Sequence, residues 1–281
     1  MVALIQINRP SRLISVIAAA GRSALNARLE VPMRYPWPVV AVVLVLTAAI
    51  LKDTPARADE RSDIASAWAA YQRGDHATAL KTLKPLAEAG NADAEYDLGT
   101  MYSDGHGVPR DPRLAQTWWE KAANQGQADA QFSLGFMLLH GSGEGDNAVA
   151  ADPSAGLPWI EKAAAQGHAS AEYFLGYLYW SGTSVPFDPQ KALQYTLQAA
   201  EQGRADAEYQ AGMILASQRG VQNAIEGYKW LELAARQNYP GAAQSRDRLA
   251  ADRLAPAEVQ HAKALADSFK PAAPMSSPGH G

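Results

Sequence analysis

The sequence predicts an all-α protein, a right-handed α/α superhelical solenoid of helix-turn-helix repeats. Three observations predict it. The octet ADAEYDLG (92–99) returns as ADAQFSLG (128–135), ASAEYFLG (169–176) and ADAEYQAG (205–212). A second motif tracks the first: KAANQG (121–126), KAAAQG (162–167), QAAEQG (198–203) and LAARQN (233–238). The octets are spaced by 36, 41 and 36 residues. Self-similarity at such a period marks a unit that buries its apolar face only against its neighbours.

Ahead of the repeats, residues 1–58 read as an N-terminal extension and secretory signal, with Met33 as an alternative true start. Residues 39–51 are an apolar run interrupted only by Thr47. A spanning helix needs about 20 such residues, whereas a signal core needs roughly 7–15. Arg34 precedes the run, and Ala56-Arg57-Ala58 has the small-x-small form of a cleavage site. The expected mature chain starts at Asp59 and is periplasmic or secreted. The alternative is an uncleaved inner-membrane anchor with the repeats in the periplasm. Arg9, Arg12, Arg22, Arg28 and Arg34 keep the N-terminus cytoplasmic in both readings.

Residues 59–90 predict a capping helix pair around an Arg73-Gly74-Asp75 turn. Four repeats follow at about 91–127, 128–168, 169–204 and 205–239. In the first helix of repeat one, Ala94, Leu98, Met101 and Tyr102 share one buried stripe at i, i+4, i+7, i+8. Gly99 beside that stripe costs about 1 kcal/mol relative to alanine, which makes sense only where a neighbouring helix comes too close for a side chain. The same slot is Gly135, Gly176 and Gly212. Gly105 and Gly107 suit a turn with φ > 0. Asp111-Pro112, Asp152-Pro153 and Asp188-Pro189 then start the second helices, Asp capping free N–H groups and Pro fitting the first helical position. Those helices carry Trp118, Trp159, Tyr195 and Trp230, each three residues after a small residue, Ala115, Gly156, Ala192 or Gly227. They end at Gly126, Gly167, Gly203 and Asn238, which suit a left-handed cap. Residues 240–270 predict a closing helix pair with a polar outer face, and 271–281, rich in Pro, Gly and Ser, a disordered tail.

MYSDGHGVPRDPRLAQTWWEKAANQGQADA (101–130) strongly resembles the Sel-one-like repeat (SLR) family, a branch of the tetratricopeptide-like solenoids. The resemblance covers about residues 61–270. Two departures stand out: an insertion of five residues around SGEGDNAVAAD (142–152), and QRGVQNAIEGYKW in place of the Gly-Val-Pro-x-Asp-Pro turn in repeat four. Bacterial members commonly act as adaptors in envelope assembly, polysaccharide export, motility or host contact. Some cysteine-rich relatives are linked to β-lactam binding or hydrolysis. This chain has no cysteine, so that activity is not carried over.

Composition narrows the classes further. The formal charge is −4, but residues 1–58 hold seven basic and two acidic residues, which leaves −9 for the remainder. A body that acidic does not draw phosphate backbones toward itself, so no nucleic-acid partner is expected. The histidines at 76, 106, 140, 168, 261 and 280 have no HxxxH or HExxH spacing. His106 and His140 both come where a first helix ends in adjacent repeats and are the one pair to test as neighbours, with turn or surface positions expected rather than metal ligation. Asp104 and Asp111 flank a Gly-rich turn without the ligand ladder of a calcium loop. GHG and GSGEG follow no strand and lack the context of a phosphate loop. The expectation is a protein with no catalytic residue, cofactor or metal.

A partner surface is more legible. With Leu98 and Tyr102 facing the core, positions 93, 96, 97, 100 and 104 face roughly the other way, a face that the resemblance places in a concave groove. The slot of Asp97 becomes Ser133, Phe174 and Gln210; that of Thr100 becomes Phe136, Tyr177 and Met213; that of Ser103 becomes Leu139, Trp180 and Ala216. The candidate partner-binding residues are therefore Phe136, Leu139, Phe174, Tyr177, Trp180 and Asp97. Asp93, Asp104, Asp129 and Asp206 lie on the same side. The predicted function is an exported, non-catalytic scaffold of the bacterial envelope that binds a protein partner through this groove. An envelope glycan- or peptidoglycan-binding module is the alternative, with a hydrolase a remote third.

Overall fold

Each Asp-Pro pair of the repeats starts a helix. Asp111 Oδ1 accepts from the N–H groups of Arg113 and Leu114, both at 3.1 Å. Asp188 Oδ1 does the same for Gln190 and Lys191 at 3.1 and 3.0 Å, and Asp152 caps Ala155 at 3.1 Å. Proline follows each Asp at the first helical position. At the other end of the second helices, Gly126, Gly167, Gly203 and Asn238 all adopt positive φ.

The computed structural model describes residues 55–272. Among them lie twelve α-helices: α1 (Pro55–Gln72), α2 (His76–Glu88), α3 (Ala92–Asp104), α4 (Pro112–Asn124), α5 (Ala128–His140), α6 (Pro153–Ala165), α7 (Ala169–Ser181), α8 (Pro189–Glu201), α9 (Ala205–Ser217), α10 (Val221–Arg236), α11 (Ala242–Arg253) and α12 (Pro256–Ser268). Successive helices pack on one another from α1 to α11, and α12 returns to α10. The arrangement is an α/α solenoid of helix-turn-helix repeats. No described helix is long and apolar enough to cross a membrane. The apolar run at 39–51 lies outside the described residues, and the expected cleavage after Ala58 falls in the first turn of α1.

The glycine slot of the first helices is a close helix–helix contact. A Cβ on Gly99 would lie 2.5 Å from Trp119 Cδ1; one on Gly135 would lie 2.6 Å from Ile160 Cγ1 and 2.8 Å from the Gly156 carbonyl oxygen. One on Gly212 would lie 2.6 Å from Leu231 Cγ, and one on Gly176 would collide with the Thr196 hydroxyl. The residues facing the glycines are therefore Trp119, Ile160, Thr196 and Leu231, one position after the aromatic series at 118, 159, 195 and 230. That series seals a different seam. Trp118 packs on the cluster of α1–α3, and Trp159 on the cluster of α4 and α5. Lys121 Nζ and Lys162 Nζ lie 3.7 Å over the rings of Trp118 and Trp159.

The two repeated motifs also meet. Gln125 Nε2 donates to Glu95 Oε2 at 2.6 Å, and Gln202 Nε2 to Glu172 Oε2 at 2.8 Å. In repeat two, Gln166 Nε2 donates to Gln131 Oε1 at 2.7 Å. Each bond ties the end of a second helix to the first turn of its own repeat.

Both departures from the pattern are absorbed locally. In repeats one and three, Asp111 and Asp188 N–H donate to the Tyr102 and Tyr179 carbonyls at 2.8 and 2.9 Å. The insertion in repeat two keeps this anchor, with Asp152 N–H bonded to the Leu138 carbonyl at 2.6 Å. The extra residues fold into a Ser142–Val149 bridge and a 3₁₀ turn, and Arg113 Nε donates to the Ala148 carbonyl at 3.2 Å. In repeat four a three-residue turn suffices. There Arg253 Nη1 and Nη2 donate to the Ala216 and Gly220 carbonyls at 2.5 and 3.0 Å. At the C-terminus, Phe269 packs edge-on against Trp230 with centroids 5.2 Å apart, and Ala272 N–H donates to the Glu201 carbonyl at 2.8 Å. The expected disordered tail at 271–281 is thus corrected at its start: Pro271 and Ala272 lie against α8, and residues 273–281 are outside the described range.

Candidate partner-binding face

Helical spacing sets the stripe of the first helices that turns away from the core. Positions 93, 97, 100 and 104 are separated by four, three and four residues, so they stack along one line. The same line reads Asp129, Ser133, Phe136 and His140 on α5, then Ser170, Phe174, Tyr177 and Ser181 on α7. On α9 it reads Asp206, Gln210, Met213 and Ser217. Phe136, Tyr177 and Met213 occupy one slot in consecutive repeats and are 43%, 48% and 42% exposed. The core does not use these side chains.

The aromatic rings of repeats two and three form a contact chain across the repeat boundary. Phe136 lies 5.4 Å from Phe174 and 4.3 Å from His140; Phe174 lies 6.4 Å from Tyr177 and 6.3 Å from Phe132, centroid to centroid. These distances fit the offset and edge-on arrangements that aromatic rings prefer. Phe132 also stacks on His168 at 5.1 Å.

The six sequence-predicted residues divide. Phe136, Phe174 and Tyr177 come together in this chain. Trp180 is exposed but turns to Phe187, 5.9 Å away in the following turn. Leu139 does not belong to the surface: it is buried with Ile160 and Leu175, close to the Gly156 approach. Asp97 is also buried, at 2% exposure. The capping helix α1 packs on α3 and brings Tyr71 within electrostatic reach of this carboxylate. Slot 97 is therefore covered in repeat one and partly open in the later ones. Met213, Phe187 and His140 are exposed beside them, while Phe132 is partly buried against the α6–α7 cluster. Met213 is readable by aligning slots, whereas Phe187 sits in a turn outside any helical period.

The acidic residues of this face have structural duties too. Asp104 Oδ2 accepts from the Tyr71 hydroxyl at 2.9 Å; burial, then this bond, push the tyrosine pKa up. His168 Nδ1 accepts from Ala171 N–H at 3.2 Å, which puts the ring proton on Nε2, and Nε2 donates to Asp129 Oδ1 at 3.1 Å. Arg204 holds Asp206 with two bonds of 3.0 and 2.7 Å and reaches back to Ser170 Oγ at 2.7 Å. Asp129 thus ties α5 to the residue that caps α7, and Arg204 ties Asp206 on α9 back to α7.

The histidine pairing differs from the sequence expectation. His106 stacks on His76 at the start of α2, with centroids 4.7 Å apart, and its Nδ1 lies 2.8 Å from the Tyr71 hydroxyl. His140 instead joins the aromatic chain. Two parallel stacked imidazoles cannot point lone pairs at one ion, and no group of three His, Asp or Glu among the described residues is placed to hold a metal.

The family described as Sel1 repeat matches this chain at residues 92–127, 128–168, 169–203 and 205–239. Two solved structures are similar. A protective antigen present in uropathogenic Escherichia coli strains, displaying an SLR fold, is 28% identical with a TM-score of 0.58. That match covers 68% of this chain and 40% of the antigen, so this chain spans well under half of that relative. A Sel1 repeat protein from Oxalobacter formigenes is 24% identical with a TM-score of 0.59, over 73% of this chain and 84% of that one. No curated protein matches the chain.

Proposed function

Because this chain belongs to the Sel1 repeat family, whose members are commonly protein–protein interaction scaffolds, we propose that it is an exported, non-catalytic adaptor of the bacterial envelope. It binds a protein partner through the first-helix face of repeats two and three. One observation carries the binding reading: Phe136, Phe174 and Tyr177 are joined ring to ring across two repeats, while Phe136 and Tyr177 stay solvent-exposed. Grouped exposed apolar surface on a soluble body marks a contact site. The Sel1 solenoid fold is typically non-catalytic.

Export rests on the N-terminal sequence: an apolar run at 39–51 too short to span, preceded by Arg34 and followed by Ala56-Arg57-Ala58. Crosslinking an affinity-tagged full-length protein in its native cells, with the tagged N-terminus read in the same mass spectra, tests both parts. Envelope proteins recovered with a chain starting at Asp59 support the exported adaptor. A chain that keeps residues before 58 makes it an anchored one. Recovery of cytosolic chaperones alone contradicts the proposal.

A further inference from the structure

Charge is divided unevenly between the two layers of helices. The first helices of the four repeats, α3, α5, α7 and α9, contain no Lys or Arg. Their surface stripe carries Asp93, Asp104, Asp129 and Asp206, with Asp97 beneath it. The second helices hold the cations: Arg113, Lys121, Lys162, Lys191, Lys229 and Arg236. Two of those lysines are placed over Trp118 and Trp159, away from the Phe136 row. The aromatic chain therefore sits in a negative field that thickens toward repeat one, where α3 alone carries three of the aspartates.

Hydrogen bonding does not cancel that field. Asp104 receives its bond from the neutral Tyr71 hydroxyl, which leaves its charge in place. At Asp206 the stripe brings its own permanent cation, Arg204, at 2.7 Å. An apolar platform beside an anionic patch is complementary to a ligand that is apolar and cationic at once. The spacing suits a peptide. Consecutive first helices meet through side chains, as Phe136 and Phe174 do at 5.4 Å, so their axes lie on the order of 10 Å apart, which about three residues of extended chain would span. A cation passing over Phe136 or Tyr177 gains further from the ring face.

We propose that the partner presents a segment with one large apolar side chain, seated over Phe136, Phe174 and Tyr177, and Lys or Arg about three residues away, directed at the aspartates of α3. This rests on the first-helix face being the binding face. A phosphorylated or acidic peptide is repelled by the same stripe.

The test is selection of random twelve-residue peptides displayed on phage against the full chain purified in mild detergent. It is followed by fluorescence anisotropy with synthetic copies of the selected peptides. The expected peptides pair a large apolar residue with Lys or Arg three or four positions away. Their affinity falls about tenfold in the Phe136→Ser, Tyr177→Ser double variant. It falls about threefold or more in Asp104→Asn, with Asp93→Asn as the variant that leaves the Tyr71 bond intact, and drops as salt rises. Selected peptides that are neutral or acidic, yet lose binding in the double variant, overturn the charge inference and leave the face in place. Peptides indifferent to the double variant, or no enrichment over a bait-free control, overturn the face as well. Retention of peptidoglycan fragments with no peptide selected overturns the choice of a protein partner.

Discussion

Gln237 Nε2 donates a hydrogen bond to Glu208 Oε2 at 2.9 Å, and the carboxyl it reaches is 1% exposed. The same amide donates to the Gly203 carbonyl at 3.1 Å. This is the fourth instance of the bond that joins the two repeated motifs. It explains why a charged residue recurs in the first turn of helices that are otherwise packed with Ala, Leu and Gly.

Burial pushes the Glu208 pKa from its ordinary 4.5 up to about 7, against the lowering effect of Gln237 and with help from Asp206. The folded chain thus holds this proton more tightly than the unfolded chain. The stabilising contribution is full below pH 4.5, is lost as pH rises toward 7, and stays lost above it. Glu208→Gln should remove that loss. Repeat two already accepts an amide there: Gln131 Nε2 donates to the Ala123 carbonyl at 3.1 Å while its Oε1 accepts from Gln166. The expected gain is on the order of 3 kcal/mol at pH 8, about 6–12 °C in the melt, and close to nothing at pH 4.5. Thermal melts of both proteins across pH 4.5–8 check it.

Gly135→Ala should destabilise although it raises helix propensity. The propensity gain is about 1 kcal/mol. The added methyl would lie 2.8 Å from the Gly156 carbonyl oxygen, a backbone atom that cannot rotate aside. Overpacking of this kind costs about 1–3 kcal/mol, so the net change is a lower melt. A melt equal to or above wild type would show that the helices can separate freely at this seam.

Asp188→Ala leaves the N–H groups of Gln190 and Lys191 without their side-chain acceptor. The expected cost is about 1 kcal/mol. Asp152→Ala should cost less, because Asp152 caps a single N–H and also holds the exposed Ser154 hydroxyl. Denaturant titrations of the two variants compare them.

Phe136→Ser with Tyr177→Ser should leave the melt within a few degrees. Both side chains are exposed, and serine removes apolar surface from water without opening a cavity. Leu139→Ser is the contrast: that side chain is buried, so its removal should lower stability by about 2–5 kcal/mol. Equal losses in the two variants would place the aromatic row in the core.

The period of the repeats, the Asp-Pro starts and the Gly or Asn stops are all readable from the sequence. Each is a local choice that backbone chemistry dictates at its own position. The candidate face is readable only in part. Phe136, Phe174 and Tyr177 follow from aligned slots. Asp97 does not, because the capping helix that covers it belongs to no repeat. Leu139 fails for a similar reason: its slot is exposed at Trp180 and buried beside Gly156, and the difference lies in the partner helix. Which residue faces each glycine is not readable in repeat one, where positions 118 and 119 are both tryptophan and the facing one is Trp119. Ile160 and Leu231 mark the facing position only once the helices are packed.

The central claim is that the partner meets the first-helix face of repeats two and three. The most direct measurement is site-specific photo-crosslinking in native cells, with the photoreactive residue placed at Tyr177 or at Glu161 on the exposed side of α6. Capture of the same protein from position 177 and not from 161 is the predicted result. Capture from 161 with none from 177 would put the partner on the second-helix face and contradict the account.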